Sequence, residues 1–143
     1  MATISTYVFG GTAGHLSRRE VRGVYIVDFT VDFSKVAGQT GGGGDTIQLM
    51  NIPADTVVIA AGLKVTKVGT GAGTVKVTDG TNDYTTAADM TALGQQTVSA
   101  IVGRMQTTAQ TIDAVTATAS INGIATIWVV LADASPLEKI SII

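Results

Sequence analysis

Apolar and polar residues alternate with a period of two along much of the chain, and this alternation is typical of half-buried β-strands. The clearest example is VYIVDFTVDF at positions 24–33, in which five apolar side chains share one face. The opposite face of the same stretch carries Asp28, Thr30 and Asp32. The pattern therefore predicts a strand that packs one face against a core and turns the other face outward.

Similar stretches continue along the chain, and turn-forming residues separate them. They are TIQLMNI, TVVIAAGLKVTKV, TVKVTD, a short strand at 84–86, TVSAIV, QTIDAVTATASI and IATIWVVLADA. Asp79-Gly80 and Asn122-Gly123 are dipeptides that favour tight hairpin turns. Gly62 lies inside a predicted strand and indicates a bend or bulge. The segment AADMTALGQQ at 87–96 fits either a short helix or an irregular loop.

About eight short strands and almost no helix predict an all-β fold. We expect an antiparallel β-sandwich, jelly-roll-like, with a barrel as the alternative closure. We expect residues 23–133 to form this one domain, with an extended N-terminal arm at 1–22 and a C-terminal tail at 134–143. The last clear strand is apolar on both faces, which predicts burial on both sides. The expected core comprises Val27, Phe29, Val31, Ile59, Leu63, Val65, Val75, Val77 and Trp128.

The chain is unusually poor in charge. Charged residues make up 14% of it and the mean hydropathy is +0.38, whereas soluble domains average about 25% charged residues. Its apolar runs are shorter than the ~20 residues that a membrane-spanning helix needs, so we expect no membrane insertion. A surface with so little charge predicts burial in an oligomer or a larger assembly. A monomer with a surface of Thr, Gly and Ala is the alternative.

The glycine-rich segments do not carry the features of phosphate-binding loops. A P-loop needs Gly-x-x-x-x-Gly-Lys-Ser/Thr followed by a helix. The four glycines at 41–44 are instead followed by Asp45 and a predicted strand, and GTGAG at 69–73 joins two predicted strands. Both segments are therefore predicted to be connections between strands.

No arrangement of reactive side chains points to an enzyme. His15 is the only histidine and there is no cysteine, so a His-based triad lacks partners and a two-His metal site is impossible. The acidic and amide residues between Asp79 and Asp89 do not have EF-hand spacing and favour turns. We expect no enzymatic activity, no cofactor and no metal, with calcium at Asp79–Asp89 as the exception to check.

Nucleic acid is also a poor match, because the net charge is -2 and aromatic residues make up only 5% of the chain. The arm nevertheless concentrates Arg18, Arg19 and Arg22 beside His15. Three arginines close together are suited to bidentate bonds with carboxylates on an acidic protein surface. A disordered terminus without a role is the alternative.

Two stretches carry a resemblance to a known class of proteins. IQLMNIPADTVVIAAGLKVTKVGTGAGTVKVTDGTNDY and GIATIWVVLADAS resemble small virion proteins of tailed bacteriophages, in particular capsid decoration, or cement, proteins with a jelly-roll-like sandwich. The resemblance covers most of residues 45–133 and is a pattern of strands and turns. The arm and the tail lie outside it.

The resemblance implies a structural protein that is made in the host bacterial cytoplasm and binds the outside of a capsid. The expected partner is the major capsid protein, and the expected oligomer is a homotrimer that reinforces the head lattice. A head-fibre module, or a receptor- or carbohydrate-binding sandwich, is the alternative; it needs exposed aromatic side chains, whereas Trp128 is predicted to be core. The residues expected to contact the capsid or another subunit are His15, Arg18, Arg19, Arg22, Leu137, Ile140 and Ile142.

Overall fold

The computed structural model describes residues 3–5, 23–36, 43–94, 96–98, 103–117 and 121–134. These residues form ten strands and one short 3-10 helix. In the described part of the chain, no helix has the length and apolarity to cross a membrane. The elements in chain order are β1 (Thr3–Ser5), β2 (Val24–Asp32), the 3-10 helix (Phe33–Lys35), β3 (Gly43–Ile52), β4 (Thr56–Lys67), β5 (Thr74–Thr78), β6 (Ala88–Asp89), β7 (Gln96–Val98), β8 (Arg104–Gln106), β9 (Gln110–Ala117) and β10 (Ile124–Asp133).

The strands form two five-stranded sheets. Sheet I has the order β1-β3-β9-β5-β6, and sheet II has the order β2-β10-β4-β7, with β8 also paired to β4. The antiparallel pairs β2–β10, β3–β9, β4–β7 and β5–β6 are nested along the chain, each pair enclosing the next. A long antiparallel ribbon folded over in this way is a jelly roll, and the prediction of an antiparallel, jelly-roll-like sandwich is confirmed.

The hydrophobic core lies between the two sheets. Val27 packs against this core although it is only partly buried. Two predicted core residues, Ile59 and Trp128, are not in the buried core. Six of the nine predicted core residues are buried: Phe29, Val31, Leu63, Val65, Val75 and Val77.

The core prediction for Trp128 is wrong because β10 turns its other face inward. Both faces of this strand are apolar, so the alternation alone does not show which face meets the core. In the structure Ile127 lies opposite Phe29, and both side chains are buried. Trp128 therefore points away from the core and is half-buried on the outward face of sheet II.

The core prediction for Ile59 is wrong because β4 contains a bulge. Val58 pairs with Leu131 and Ala60 pairs with Val130, which leaves Ile59 as the extra residue. Such an insertion reverses the alternation of faces along the rest of the strand. A bend or bulge was predicted at Gly62, but Gly62 pairs regularly with Trp128. The irregularity of this strand lies at Ile59 instead.

Two turn predictions have opposite outcomes. Asp79-Gly80 does lie in the connection between the antiparallel strands β5 and β6, as predicted. Asn122-Gly123 is not a hairpin turn, because β9 lies in sheet I and β10 in sheet II. The Asn122 side chain instead accepts a hydrogen bond from the Thr70 backbone N–H, which joins two connections between the sheets.

The segment from 84 to 94 is less regular than predicted. The strand expected at 84–86 is absent. The Tyr84 backbone N–H instead donates a hydrogen bond to the Val77 carbonyl at 2.8 Å. The ambiguous segment that follows contains the short strand β6 and then turns through residues 90–94, so its loop interpretation is correct for these residues.

The first residues of the N-terminal arm belong to a sheet. Strand β1 pairs in parallel with β3, with Ile4 opposite Ile47, and forms the outermost strand of sheet I. The rest of the arm, residues 1–2 and 6–22, lies outside the described residues. The four glycines that precede Asp45 are not all connection either, since β3 begins at Gly43.

Candidate interaction surface

An apolar surface lies on the outward face of sheet II. Val24 and Ile26 of β2 are each 66% exposed, Val98 of β7 is 57% exposed and Met105 of β8 is 46% exposed. Among the described residues, these are four of the six exposed large apolar side chains. We call the outward-facing set Val24, Ile26, Val98, Met105, Trp128 and Val130 the outer patch.

The pairing of the strands makes the outer patch continuous. Ile26 lies beside Val130, which lies beside Ala60. One row further along, Trp128 is paired with Gly62, and Gly62 with Val98. Directly paired residues on antiparallel strands share a face and lie about 5 Å apart, so the patch is continuous from β10 across β4 to β7, whereas Trp128 meets Asp28 on the β2 side.

Gly62 provides the space for the indole of Trp128. A Cβ atom at position 62 would collide with the six-membered ring of that side chain. The indole therefore lies across the backbone of β4, in the middle of the outer patch. A glycine that leaves room for a large aromatic on the neighbouring strand explains why this strand tolerates Gly in its interior.

We expect Gly62→Ala to displace the Trp128 indole from the sheet. The new methyl group would occupy the volume of the ring, and the ring would rotate toward solvent. Trp128 is the only tryptophan, so its fluorescence emission should shift to longer wavelength in the variant. Ala60→Ser, on the same strand and face, is the control and should leave the emission unchanged; equal spectra for both variants would contradict this packing.

Charged side chains of opposite sign lie on either side of β10, at the other end of the same face. Asp28 and Asp32 are on β2, whereas Lys64 and Lys67 are on β4. Through the pairing, Asp32 and Lys67 both lie beside Ile124. The two flanks are two strand spacings, about 10 Å, apart, and among the described residues no ion pair joins them.

The partners of these charges differ. The Ser34 hydroxyl donates to Asp32 and lowers its pKa, and Lys35 lies 3.6 Å from the same carboxylate. Within the described ranges, Asp28, Lys64 and Lys67 take part in no ion pair. The face therefore has an acidic flank on β2 and a basic flank on β4, and among the described residues all of these side chains except Asp32 are without an ion-pair partner.

The outward face of sheet I has a different character. Its outward positions include Thr74 and Lys76 on β5 and Gln48 on β3, all partly exposed, and Lys76 is paired with Asp83 at 2.6 Å. None of the exposed large apolar residues of the described chain lies on these strands. The apolar face of sheet II is thus a specific feature of one side of the sandwich, and large exposed apolar areas commonly mark interaction sites.

The predicted turn at Asp79 is a buried hydrogen-bond network. Asp79 accepts hydrogen bonds from the backbone N–H groups of Thr81 and Asn82, at 2.9 and 2.6 Å. Its other oxygen accepts from the Tyr84 hydroxyl at 2.8 Å and from the Gln106 amide at 3.0 Å. Burial opposes the charge of Asp79, but these hydrogen bonds outweigh it and lower its pKa to about 2.

The same network bears on the calcium hypothesis. Both carboxylate oxygens of Asp79 face N–H and O–H donors, which hold the lone pairs that a cation would need. Asp83 is paired with Lys76, and Asp89 accepts from the backbone and hydroxyl of Thr91. In the part of the chain that the structure describes, no three His, Cys, Asp or Glu side chains form a group able to hold a metal.

Asp113 is a second buried carboxylate, on β9. It is paired with Gln48 on one side and Thr78 on the other, and its Oδ1 atom is buried without a hydrogen-bond partner. Burial raises the pKa of Asp113, and the nearby charge of Asp79 raises it further. Because the folded state favours the protonated form, the charge on Asp113 increasingly destabilises the fold as pH rises through this raised pKa.

The contact residues proposed from the sequence lie outside the described residues. This applies to all seven: His15, Arg18, Arg19, Arg22, Leu137, Ile140 and Ile142. The outer patch was not predicted. Two signals for it are present in the sequence, the second apolar face of β10 and the apolar pair Val24 and Ile26 on the polar face of β2.

Comparisons with known proteins support the fold. No protein-family model matches the chain, and no curated protein sequence matches it either. A chain in the capsid of Ralstonia phage GP4 has a TM-score of 0.48 and 14% identity, and covers 79% of this chain and 84% of its own length. A chain in the acidic stable capsid structure of Helicobacter pylori bacteriophage KHP30 has a TM-score of 0.55 and 20% identity over 78% of this chain and 88% of that chain. The chain thus shares its fold with a chain of the KHP30 capsid structure.

Proposed function

We propose that this chain is a structural virion protein that binds the outside of a tailed-phage capsid and stabilises the head lattice, as decoration, or cement, proteins do. The observation that carries the proposal is the fold shared with a chain of the KHP30 capsid structure, at a TM-score of 0.55 over 88% of that chain. The partner is the major capsid protein, and the protein acts as a homotrimer on the capsid surface.

The character of the surface supports this proposal. A cement protein acts through contact area, and the chain has an apolar outward face together with 14% charged residues. A protein that binds the assembled shell more tightly than its dissociated parts stabilises the shell by mass action. This role needs no chemical step. Of the two buried carboxylates described above, Asp79 accepts hydrogen bonds within its turn, and Asp113 lies in β9 of sheet I.

Heating of phage particles with and without this chain tests the proposal. Particles that lack the chain should release their DNA at a lower temperature, and addition of the purified protein should restore the original temperature. Particles with the same release temperature in the presence and absence of the chain would contradict a cementing role.

The arm supplies a separate prediction about capsid binding. Replacement of Arg18, Arg19 and Arg22 by Ala should weaken binding to particles, because bidentate bonds to acidic groups of the shell are lost. Binding of the unmodified protein should also weaken as salt rises. The melting temperature should not change, and Lys76→Ala on the opposite sheet face is the control. Unchanged binding by the triple variant would exclude the arm as a contact.

Carbohydrate binding is a second candidate, and one observation favours it. The Trp128 indole lies half-buried on the outward face, where its ring is available for stacking with a sugar. Titration with a panel of bacterial surface oligosaccharides should then change the fluorescence of Trp128, and Trp128→Ala should abolish binding measured by calorimetry. If calorimetry detects no heat of binding for any oligosaccharide of the panel, carbohydrate binding is excluded as a function.

A further inference from the structure

We infer that the outward face of sheet II binds the same face of a second copy of this chain, about a two-fold axis parallel to β10. In this arrangement β2 of each copy lies over β4 of the other, and β10 lies over β10. The inference goes beyond the proposed function, because it concerns self-association in solution and does not require a capsid.

The charges of the face favour this occupant. Asp28 and Asp32 form the acidic flank on β2, and Lys64 and Lys67 form the basic flank on β4. The two-fold rotation exchanges the flanks, so each acidic flank faces the basic flank of the other copy. Asp32 and Lys67 lie in the same row, beside Ile124, and the two-fold axis brings them opposite each other. Such self-complementarity is what an isologous interface requires.

The apolar rows are self-complementary in size as well. The large, exposed Ile26 occupies the same row as the small Ala60, so the rotation places Ile26 of one copy over Ala60 of the other. Trp128 lies on the central strand and meets its own counterpart near the axis. Sheets pack face to face about 10 Å apart when large and small side chains interdigitate in this way.

The area of the face fits a weak, reversible contact. The rotation superposes the three strands β2, β10 and β4, and three strands at about 4.8 Å spacing with nine residues of β2 at about 3.4 Å each give a footprint of about 14 by 30 Å. The two copies together would bury about 900 Å², which is in the range of weak, transient protein contacts. We therefore expect an association that depends on protein concentration.

Trp128 reports directly on this contact. The purified full chain should show a shift of Trp128 emission to shorter wavelength as its concentration rises, in parallel with an increase of mass in analytical ultracentrifugation. For a monomer the two-fold contact doubles the mass, so its loss halves it. For the proposed trimer the same ratio holds when the three two-fold axes meet on the three-fold axis.

Matched variants separate this face from general surface effects. Ile26 and Leu93 are 66% and 70% exposed, and Leu93 lies in the turn between β6 and β7 and is not part of the outer patch. Ile26→Asn should weaken association at least about tenfold, as expected when an apolar side chain at the centre of an interface is lost. Leu93→Asn should not change it, and both variants should keep the melting temperature of the unmodified protein measured at low concentration.

Charge exchange tests the orientation of the two copies. Asp28 and Lys64 lie in neighbouring rows, those of Trp128 and Thr126, so the rotation brings them diagonally close to each other. Asp28→Lys and Lys64→Asp should each weaken association at low salt, because like charges are then brought close together. The double variant should restore it. Three outcomes would overturn the inference: a Trp128 emission independent of concentration, an equal effect of Ile26→Asn and Leu93→Asn, or a double variant no better than the single ones.

Discussion

Phe29→Ala should lower the free energy of unfolding by about 3–5 kcal/mol, the range for a large buried aromatic. Phe29 is 1% exposed and lies opposite the buried Ile127 on β10, so its removal leaves a cavity between the two sheets. Urea denaturation followed by circular dichroism measures the loss, since this signal does not depend on Trp128.

The same strand offers a matched control. Ile26 is 66% exposed on the other face of β2, and Ile26→Ala should change the stability by no more than about 0.5 kcal/mol at low protein concentration. Trp128→Ala should cost less than Phe29→Ala, because the indole is only half-buried. A loss of stability for Ile26→Ala as large as that for Phe29→Ala would mean that the inward face of β2 is assigned wrongly.

Asp79→Asn should lower the free energy of unfolding by about 2–3 kcal/mol at pH 7. The pKa of Asp79 is lowered from 3.8 to about 2, and a difference of this size corresponds to about 2–3 kcal/mol. The carboxylate accepts hydrogen bonds from Thr81, Asn82, Tyr84 and Gln106. In Asn an NH₂ group replaces one of the two carboxylate oxygens. This group would face hydrogen-bond donors, from which it cannot accept.

The effect of Asp79→Asn should depend on pH. Because the pKa of Asp79 is lower in the folded state, its contribution to stability is complete above the unfolded value of 3.8 and is lost as pH falls through about 2. The free energies of unfolding of Asp79→Asn and the unmodified protein should therefore differ strongly at pH 7 and only slightly near pH 2. Asp89→Asn, at the exposed end of β6, is the control with a much smaller effect at both values. An equal loss for Asp79→Asn at both pH values would show that shape rather than charge is responsible.

The alternation of apolar residues was enough to predict the class of fold. It located β2, β4, β5 and β10, because each carries a run of residues with period two and the neighbouring segments contain Gly, Asn or Asp. It also placed Phe29 and Val77 in the core, where both are buried. These are the positions at which one face of the strand is clearly more apolar than the other.

The errors have physical causes that a single strand does not reveal. Trp128 is on the outward face because the register between β10 and β2 selects the inward one, and this register depends on two distant segments. The bulge at Ile59 changes the inward face within one strand. Asn122-Gly123 has the composition of a hairpin turn, yet it lies where the chain crosses from sheet I to sheet II.

The candidate surface was harder to predict than the fold. The outer patch combines Ile26, Val98 and Trp128, which are brought together only by the pairing of β2, β10, β4 and β7. Its charged flanks likewise become visible only when Asp28 and Lys64 are placed on either side of β10. The arm and tail residues proposed from the sequence remain predictions, and the triple arginine variant tests those of the arm.

Cryo-electron microscopy of phage particles that contain this chain tests the proposed function most directly. The account predicts a jelly-roll density on the outer surface of the icosahedral shell, in contact with the major capsid protein. Density for this fold inside the shell or confined to the tail, or particles in which the chain has no fixed position on the head, would contradict it.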